Sequence, residues 1–365
     1  MRRKRVLRFT LLSLLAGAFA GLISGLAFGG GTGSGTLKVV SGGGANAQQT
    51  ATTLAVDPFA GQPMTPERAK LIGANEMGLV LVIVYNKISP DATDASTRTP
   101  DQFRDDLALL DREGFYPINI SDLVTGDIDI PAGKSPVAIT FDGSSPGQYR
   151  ILDDGTLDRT CAVGVMQDLI EGGYWHPKAT FFCLLDVVPN ENEVFGQAER
   201  RKEKLRNLVD WGYEVGSNTM TNLDLSASTE DSIRSELANS QITLDDIIGS
   251  DYAVSSLALP KGGFPKSPTI LPSGTWQDTT YQYTAAVGLD ETPCASPFSS
   301  NFNPMHIPRI TSAGENLSVA IDELKRNSQL MYVSDGDPTS VSAPYRLTPS
   351  LGEPRSNLGR PVIRY

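Results

Sequence analysis

Short apolar runs alternate with longer amphipathic segments along most of the chain. The run Leu79–Tyr85 is apolar throughout, which is typical of a strand buried on both faces of a sheet. From Thr99 to about Gly114, apolar residues recur three and four positions apart, which predicts an amphipathic helix that begins near Pro100. Alternation of this kind indicates parallel strands joined by right-handed helical crossovers.

Similar patterns predict the remaining elements. Further strands are expected at Tyr116–Ile118, Val137–Phe141, Ala179–Leu184, Tyr213–Gly216, Ser256–Leu259, Tyr283–Val287 and Met331–Val333. Further helices are expected at Met64–Gly73, Asp158–Glu171, Gly196–Trp211, Thr229–Ile248 and Glu315–Asn327. The pattern predicts an α/β fold, and an open sheet and a closed barrel both satisfy it.

The charge of the chain limits the classes of partner that it is expected to bind. The 365 residues carry a net charge of −11, and five of the 31 basic residues lie at positions 2–8. Phosphate binding needs clustered lysine and arginine, so the acidic remainder argues against a nucleic-acid partner. The same charge is compatible with neutral or cationic glycans.

The N-terminus is basic and then apolar, which predicts export. Arg2-Arg3-Lys4-Arg5 precedes an uncharged stretch, Phe9–Phe28, about as long as the ~20 residues that a membrane-spanning helix needs. The basic flank predicts that the N-terminus stays inside and the rest is exported. A cleaved signal peptide is the alternative, since Ala18-Phe19-Ala20 is a small-x-small cleavage pattern. In both cases the domain that follows is expected to be extracytoplasmic, either membrane-anchored or secreted.

Composition divides the chain into three parts. Residues 1–28 are the expected membrane anchor or signal peptide, and residues 29–62, rich in Gly, Ser, Thr and Ala, are expected to form a flexible linker. Residues 63–365 are expected to form one domain, because single α/β barrels commonly reach about 250 residues. The chain has three cysteines, so at least one lacks a disulfide partner, and Cys183 is expected to be a buried free thiol because it continues an apolar strand.

Several ordered motifs give the chain a family resemblance. Gly216–Leu225 reads GSNTMTNLDL, Thr140–Gly143 reads TFDG, and Lys178–Phe182 reads KATFF. Over roughly Leu79–Pro344 the chain resembles the polysaccharide deacetylase family, the NodB-homology or carbohydrate esterase 4 type. The resemblance implies a distorted (β/α) barrel of seven strands whose chemistry lies at the carboxyl ends of the strands. It also implies metal-assisted hydrolysis of acetyl groups on glycans.

The metal-binding positions of that resemblance are changed. In the family motifs two histidines and an aspartate hold a divalent metal, usually zinc, and the matching positions here are Asn218, Asn222 and Gly143. A carboxamide is a poor zinc ligand and glycine has no side chain. Asn86 likewise stands where many members have histidine. We therefore expect no metal cofactor, and zinc or another divalent ion only if unrecognised ligands hold it.

Other residues are candidates for roles in such a site. Asp142 stands at the position of the family's catalytic base, and His306 is a candidate general acid. The arginine motif R-P-P-x-G has its counterpart at Leu259–Gly263, where the arginine is missing. The side chains expected to contact a sugar are Asn86, Asn218, Asn222, Lys261 and Trp276.

Three functional hypotheses follow. The first is an exported deacetylase-like protein that binds cell-envelope polysaccharide or a peptidoglycan-like glycan. It would be catalytically impaired because Gly143, Asn218 and Asn222 replace metal ligands. The alternative is an active deacetylase that hydrolyses N- or O-acetyl groups with Asp142 as base and non-standard metal ligands. The third is an interaction protein with no glycan role.

Overall fold

The computed structural model describes residues 63–92, 94–186 and 190–365. Its strands, in chain order, are β1 (Leu81–Tyr85), β2 (Lys87–Ile88), β3 (Thr97–Arg98), β4 (Phe115–Ile118), β5 (Ser135–Asp142), β6 (Thr180–Cys183), β7 (Glu214–Ser217), β8 (Ser256–Ala258), β9 (Ser273–Trp276), β10 (Thr279–Gln282), β11 (Ala285–Val287), β12 (Ile310–Thr311), β13 (Val341–Ala343) and β14 (Val362–Arg364). Its α-helices are α1 (Pro66–Ile72), α2 (Pro100–Arg112), α3 (Ile120–Thr125), α4 (Ala162–Glu171), α5 (Arg201–Asp210), α6 (Glu230–Ile248) and α7 (Asn316–Arg326).

Seven parallel strands form the central sheet, in the order β11-β8-β7-β6-β5-β1-β12. β4 pairs with the first half of β5. The sheet curls, and a parallel bridge from Val287 to Ile307 brings the segment ahead of β12 next to β11. The predicted distorted (β/α) barrel of seven strands is confirmed.

The seventh strand does not lie where the sequence predicts it. The expectation of a strand at Met331–Val333 is wrong, because that segment makes isolated bridges with Leu79 and Asn75. The seventh strand is instead β12, whose two residues pair with Ile83 and Val84. Two residues are too few to show a hydrophobic period, so this strand has no signal in the sequence pattern.

Helix starts are set by local chemistry. α2 follows Thr99, whose hydroxyl accepts a hydrogen bond from the Gln102 backbone N–H, and the Gln102 side chain accepts from the Thr99 N–H in return. α6 follows Thr229, which accepts from the Ser232 N–H in the same way. These side chains satisfy backbone N–H groups that have no partner within the helix. The predicted helix starts near residues 99 and 229 are confirmed.

The central strands are buried on both faces. In β1, the alternate residues Leu81, Ile83 and Tyr85 belong to the core beneath the helices. Val82, between them, packs inside the curled sheet in a second cluster that includes Ala138. Polar side chains reach solvent chiefly where the strands end, which explains why the functional candidates gather there.

The remaining sequence predictions concern the termini and the cysteines. The expected anchor and linker, residues 1–62, lie outside the described residues. Among the described residues, no helix has both the length and the apolar character needed to cross a bilayer. All three cysteines are buried free thiols, as expected for Cys183.

Candidate functional site

Four of the predicted site residues lie at one end of the barrel, the carboxyl end, where the parallel strands finish. Asn86 follows β1, Asp142 ends β5, Asn218 follows β7, and Lys261 lies three residues beyond β8. Because parallel strands finish on the same side of a sheet, residues far apart in the chain meet here.

An ion pair dominates this end of the barrel. Both carboxylate oxygens of Asp142 accept hydrogen bonds from the Arg309 guanidinium, at 2.7 and 2.6 Å. The Arg309 side chain is fully buried, and it also donates to the Gly288 carbonyl oxygen (2.9 Å) and the Thr140 hydroxyl (3.1 Å). Asp142 retains 13% side-chain exposure. The pair holds the carboxylate in one orientation and balances its charge.

Sequence reasoning missed the role of Arg309. The arginine motif suggested a position near Leu259–Gly263, where the arginine is missing, and the structure supplies the guanidinium from the segment ahead of β12. The only sequence signal is a lone arginine, between Pro308 and Ile310, in an otherwise uncharged stretch. If such an arginine is buried, its guanidinium needs an acidic or hydrogen-bonding partner, because an unpaired buried charge is costly.

A buried glutamine joins the ends of β1 and β5. The Gln148 side-chain amide donates to the carbonyl oxygens of Asn86 (2.5 Å) and Asp142 (2.7 Å). Nearby, an added Cβ at Gly147 would stand 1.7 Å from the Ile88 carbonyl oxygen, so only glycine allows this approach. The loop after β5 is thus held against the end of β1.

A buried lysine fixes the other side of the same loop. The Lys204 ammonium donates to the carbonyl oxygens of Tyr149 (2.8 Å) and Phe195 (3.2 Å) and stands 5.4 and 5.5 Å from the centres of their rings. Burial lowers the pKa of Lys204 to about 8. Lys204 therefore connects the loop after β5 to the segment that follows β6.

The two asparagines after β7 have different environments. Asn218 is 3% exposed, and its amide nitrogen donates to the Ala258 carbonyl oxygen at 3.1 Å. Asn222 is exposed and has φ of +61°, a conformation that asparagine adopts more readily than most residues. Asn218 therefore ties β7 to β8, and Asn222 is the member of the pair that solvent reaches.

The backbone between the asparagines is strained and held by one carboxylate. Thr219 is fully buried with φ of +67°, and its hydroxyl has no hydrogen-bond partner among the described residues. Glu236 of α6 accepts from the backbone N–H groups of Met220 and Thr221, both at 2.8 Å, and from the Thr221 hydroxyl at 2.7 Å. A β-branched residue stays in such a conformation only where its surroundings enforce it.

These residues do not fit the divalent metal of the family. Gly143 offers no donor, the Asn218 amide is bonded to a strand carbonyl, and both Asp142 oxygens accept from Arg309. Within residues 63–92, 94–186 and 190–365, no three His, Cys, Asp or Glu side chains are close enough to hold an ion. The donor set is a carboxylate already paired with a guanidinium and carboxamides that bind zinc poorly.

His306 forms part of an aromatic surface beside the ion pair. Its ring stacks on Phe264 with the ring centres 4.0 Å apart, and its Nε2 lies 3.3 Å from the Asp290 carboxylate. Asp290 lies two residues after Gly288, whose carbonyl oxygen accepts from Arg309. We call Phe264, Asp290 and His306 the aromatic platform. Sequence reasoning identified His306 but not its two partners.

Lys261 and Trp276 occupy different surroundings. The Lys261 side chain is 68% exposed, with its ammonium 3.8 Å from the Asp224 carboxylate. Trp276 ends β9 in the β9–β10 hairpin, which packs against α6, and it is partly buried against the core. Trp276 therefore lies on this hairpin, whereas Lys261 follows a barrel strand.

Part of the chain matches the model of a known family. Residues 129–291 match the family model described as polysaccharide deacetylase. This match covers less than half of the chain and identifies a polysaccharide deacetylase-like domain in that stretch. No curated protein matches the chain.

Solved structures of deacetylases are similar in part. A polysaccharide deacetylase from Bacillus cereus is 19% identical, with 67% of this chain and 69% of that chain covered and a TM-score of 0.49. The Streptococcus pyogenes deacetylase PplD, in complex with acetate, is 17% identical, with 67% of this chain and 98% of that chain covered and a TM-score of 0.47. IcaB from Ammonifex degensii is 17% identical, with 67% of this chain and 96% of that chain covered and a TM-score of 0.44. At these scores the structural likeness carries no argument of its own.

Proposed function

We propose that this protein binds a cell-envelope polysaccharide at the carboxyl end of its barrel and does not hydrolyse it. The observation that carries the proposal is the state of the metal-binding positions. Gly143 and Asn218 offer no suitable ligand, and Arg309 occupies both oxygens of Asp142. Hydrolysis of an acetyl group at neutral pH by this route requires an activated water, which these side chains do not provide.

The chemistry of the exposed groups supports a glycan as the ligand. The outer face of the His306 ring, which stacks on Phe264, offers a flat surface, and Asp290 offers a carboxylate beside it. Asn222 and Lys261 add exposed polar groups at the ends of neighbouring strands. Carbohydrates present both apolar C–H faces and hydroxyl groups, so a site of this composition suits them.

Binding and acetate release, measured together, test this proposal. The full chain is titrated calorimetrically with acetylated and deacetylated chitin oligomers and with peptidoglycan fragments, and acetate is assayed in the same samples. We expect binding without acetate release, and we expect Phe264→Ala to weaken binding at least several-fold. Tyr174→Ala is the control, because Tyr174 is exposed but lies beyond the other end of the barrel.

The other outcomes separate the remaining hypotheses. Acetate release that rises with added zinc would replace the proposal with an active deacetylase that uses non-standard ligands. Failure to bind any of these glycans, together with equal behaviour of Phe264→Ala and the unchanged protein, would favour an interaction protein.

We also infer that the domain is exported and tethered to a membrane through residues 1–28. The support is the basic cluster followed by an uncharged stretch of membrane-spanning length. Protease treatment of intact cells tests this inference. Digestion of the barrel domain in intact cells is expected, and protection until the cells are lysed would contradict it.

A further inference from the structure

One part of the molecule differs in charge from the rest. α1 and residues 344–365 lie together at the amino end of the barrel, opposite the candidate site. The Tyr345 N–H donates to the Tyr365 carbonyl oxygen at 2.7 Å, and the Tyr365 hydroxyl donates to the Ala74 carbonyl oxygen at 2.9 Å. We call residues 63–74 and 344–365 the basal surface.

The basal surface exposes large apolar side chains. Leu71 is 76% exposed and Tyr345 is 75% exposed, the highest values for large hydrophobic residues in the part of the chain that the structure describes. Single exposed apolar residues are common, but here the two most exposed lie on segments that pack against each other. Their exposure leaves apolar area for a partner to cover.

The basal surface is also basic within an acidic domain. Residues 63–74 and 344–365 contain six basic side chains, of which Arg68 is buried and Arg364 lies 3.9 Å from Glu353, and two acidic ones. Residues 75–343 contain 19 basic and 39 acidic side chains. Arg355 and Arg360 donate to backbone carbonyl oxygens of Pro297, Gly126 and Pro338. Since these partners carry no formal charge, the two guanidinium charges still contribute to the field of this surface.

We propose that the basal surface lies on an anionic lipid bilayer. Lysine and arginine attract anionic headgroups, while tyrosine and leucine suit the boundary between headgroups and acyl chains. A soluble polyanion would use the charges but would leave Leu71 and Tyr345 in water. The combination of both features in one place favours the membrane surface.

The path of the chain supports this assignment. Met64 donates its backbone N–H to Asp337 at the amino end of the barrel, so the first described residues of the chain lie at the basal surface. Contact through this surface directs the carboxyl end, with Asp142 and the aromatic platform, away from the bilayer. The candidate site then faces the glycan layer rather than the lipid.

Site-specific labelling tests the proposal. The full chain is reconstituted into vesicles of phosphatidylglycerol or phosphatidylcholine that contain a quencher lipid, with a fluorophore on Tyr345→Cys. The three native cysteines are buried, so labelling is selective. Asp153→Cys, in the exposed loop after β5 at the opposite end, is the control. We expect strong quenching at position 345 in phosphatidylglycerol only, and little at position 153 in either lipid.

Neutralising the exposed charges sharpens the test. In the labelled protein, Lys70→Gln with Arg346→Gln is expected to weaken the contact by about fivefold for each basic residue lost. Lys202→Gln with Lys266→Gln changes the net charge equally at exposed positions outside the basal surface, and we expect no effect from it.

Three results would overturn the proposal. The first is equal quenching at positions 345 and 153. The second is quenching at position 345 that is the same in both lipids or unaffected by the basal substitutions. The third is fluorescence at position 345 that changes with protein density and not with lipid, which would assign the surface to a second copy of the chain.

Discussion

At each end of the barrel a carboxyl group is held by buried partners, but the partners differ. At the carboxyl end Asp142 is paired with Arg309 through two hydrogen bonds of 2.7 and 2.6 Å. At the amino end Glu76, 3% exposed, accepts from the Ser342 N–H (2.8 Å) and the Tyr332 hydroxyl (3.3 Å). Burial, and then the nearby Asp335, raise the pKa of Glu76 to about 8.

The difference shows two ways to bury an acid. The Arg309 guanidinium balances and orients the Asp142 carboxylate at the end of the barrel where the candidate site lies. Neutral donors around Glu76 do not balance a charge, so Glu76 keeps its proton at neutral pH instead. Asp335, fully buried beside it, also has its pKa raised by burial. The carboxyl end thus pairs its carboxylate with a buried guanidinium, whereas the amino end surrounds its carboxyl group with neutral donors.

Removal of Arg309 is expected to have the largest effect. Arg309→Met leaves the Asp142 carboxylate without its counter-charge, and breaking one side of a buried pair costs about 3–5 kcal/mol. Denaturant unfolding measures this loss. Arg206→Met, at an exposed ion pair, is the control and should cost far less, because solvent screens an exposed pair.

The double variant separates charge from packing. Arg309→Met with Asp142→Asn leaves no uncompensated charge, so most of the lost stability should return. If the double variant is as unstable as Arg309→Met alone, the ion pair does not account for the loss.

The second effect is expected at Glu76 and Asp335, the two buried acids at the amino end. Their raised pKa values should make the stability of the protein depend on pH. Glu76 has an ordinary pKa of 4.5 and a folded pKa of about 8, so the folded state binds more protons between those values. Its contribution is therefore fully present below pH 4.5 and is lost as the pH rises towards 8. The slope can reach about 1.4 kcal/mol for each pH unit.

Asp335→Asn should reduce that slope. Asparagine can keep hydrogen bonds to the Asp337 N–H and the Ser342 hydroxyl, and it removes the charge that opposes ionisation of Glu76. Urea unfolding from pH 4.5 to 8 measures the change, with Asp153→Asn as an exposed control. An unchanged slope in Asp335→Asn would show that Asp335 has no part in raising the pKa of Glu76.

A third, smaller effect is expected at Gln148. Gln148→Met removes the donor to two strand-end carbonyl oxygens, and buried groups left unpaired cost about 1–3 kcal/mol. Because the loop after β5 loses one of its two described side-chain donors to the Asn86 carbonyl oxygen and keeps the Ser145 hydroxyl (3.2 Å), glycan binding should weaken as well. Thermal unfolding with calorimetric titration measures both, and a loss of stability with full glycan affinity would remove this loop from the binding site.

The smallest effect on stability is expected at Lys261. Its ammonium is exposed and 3.8 Å from Asp224, so Lys261→Ala should change stability by less than about 0.5 kcal/mol. A several-fold loss of glycan affinity with unchanged unfolding would assign Lys261 to binding alone. Full affinity in Lys261→Ala would exclude it from the site.

The sequence predicted the fold better than the site. The apolar run of β1 and the threonine caps of α2 and α6 are local signals, and the structure bears them out. β12 is too short to show a period. The alternation of strands and helices predicted parallel strands, and parallel strands place the candidate residues together at their carboxyl ends.

The contacts that define the site were not predictable, because they join distant parts of the chain. Arg309 and Asp142 are 167 residues apart, and nothing in the composition near either one names the other. The same holds for Glu76 and Ser342, 266 residues apart. Glu236 supports a strained loop whose φ values cannot be read from its residue types.

Metal content tests the central claim most directly. The full chain and the variant Gly143→Asp, Asn218→His, Asn222→His are purified without chelators, incubated with zinc, desalted and analysed for metal. We predict no stoichiometric zinc in the unchanged protein and zinc uptake in the triple variant. Gly143 has open space around an added Cβ, although its φ of +84° makes the aspartate strained. Near-stoichiometric zinc in the unchanged protein would contradict the account, because the carboxyl end would then hold a metal that its residues do not fit.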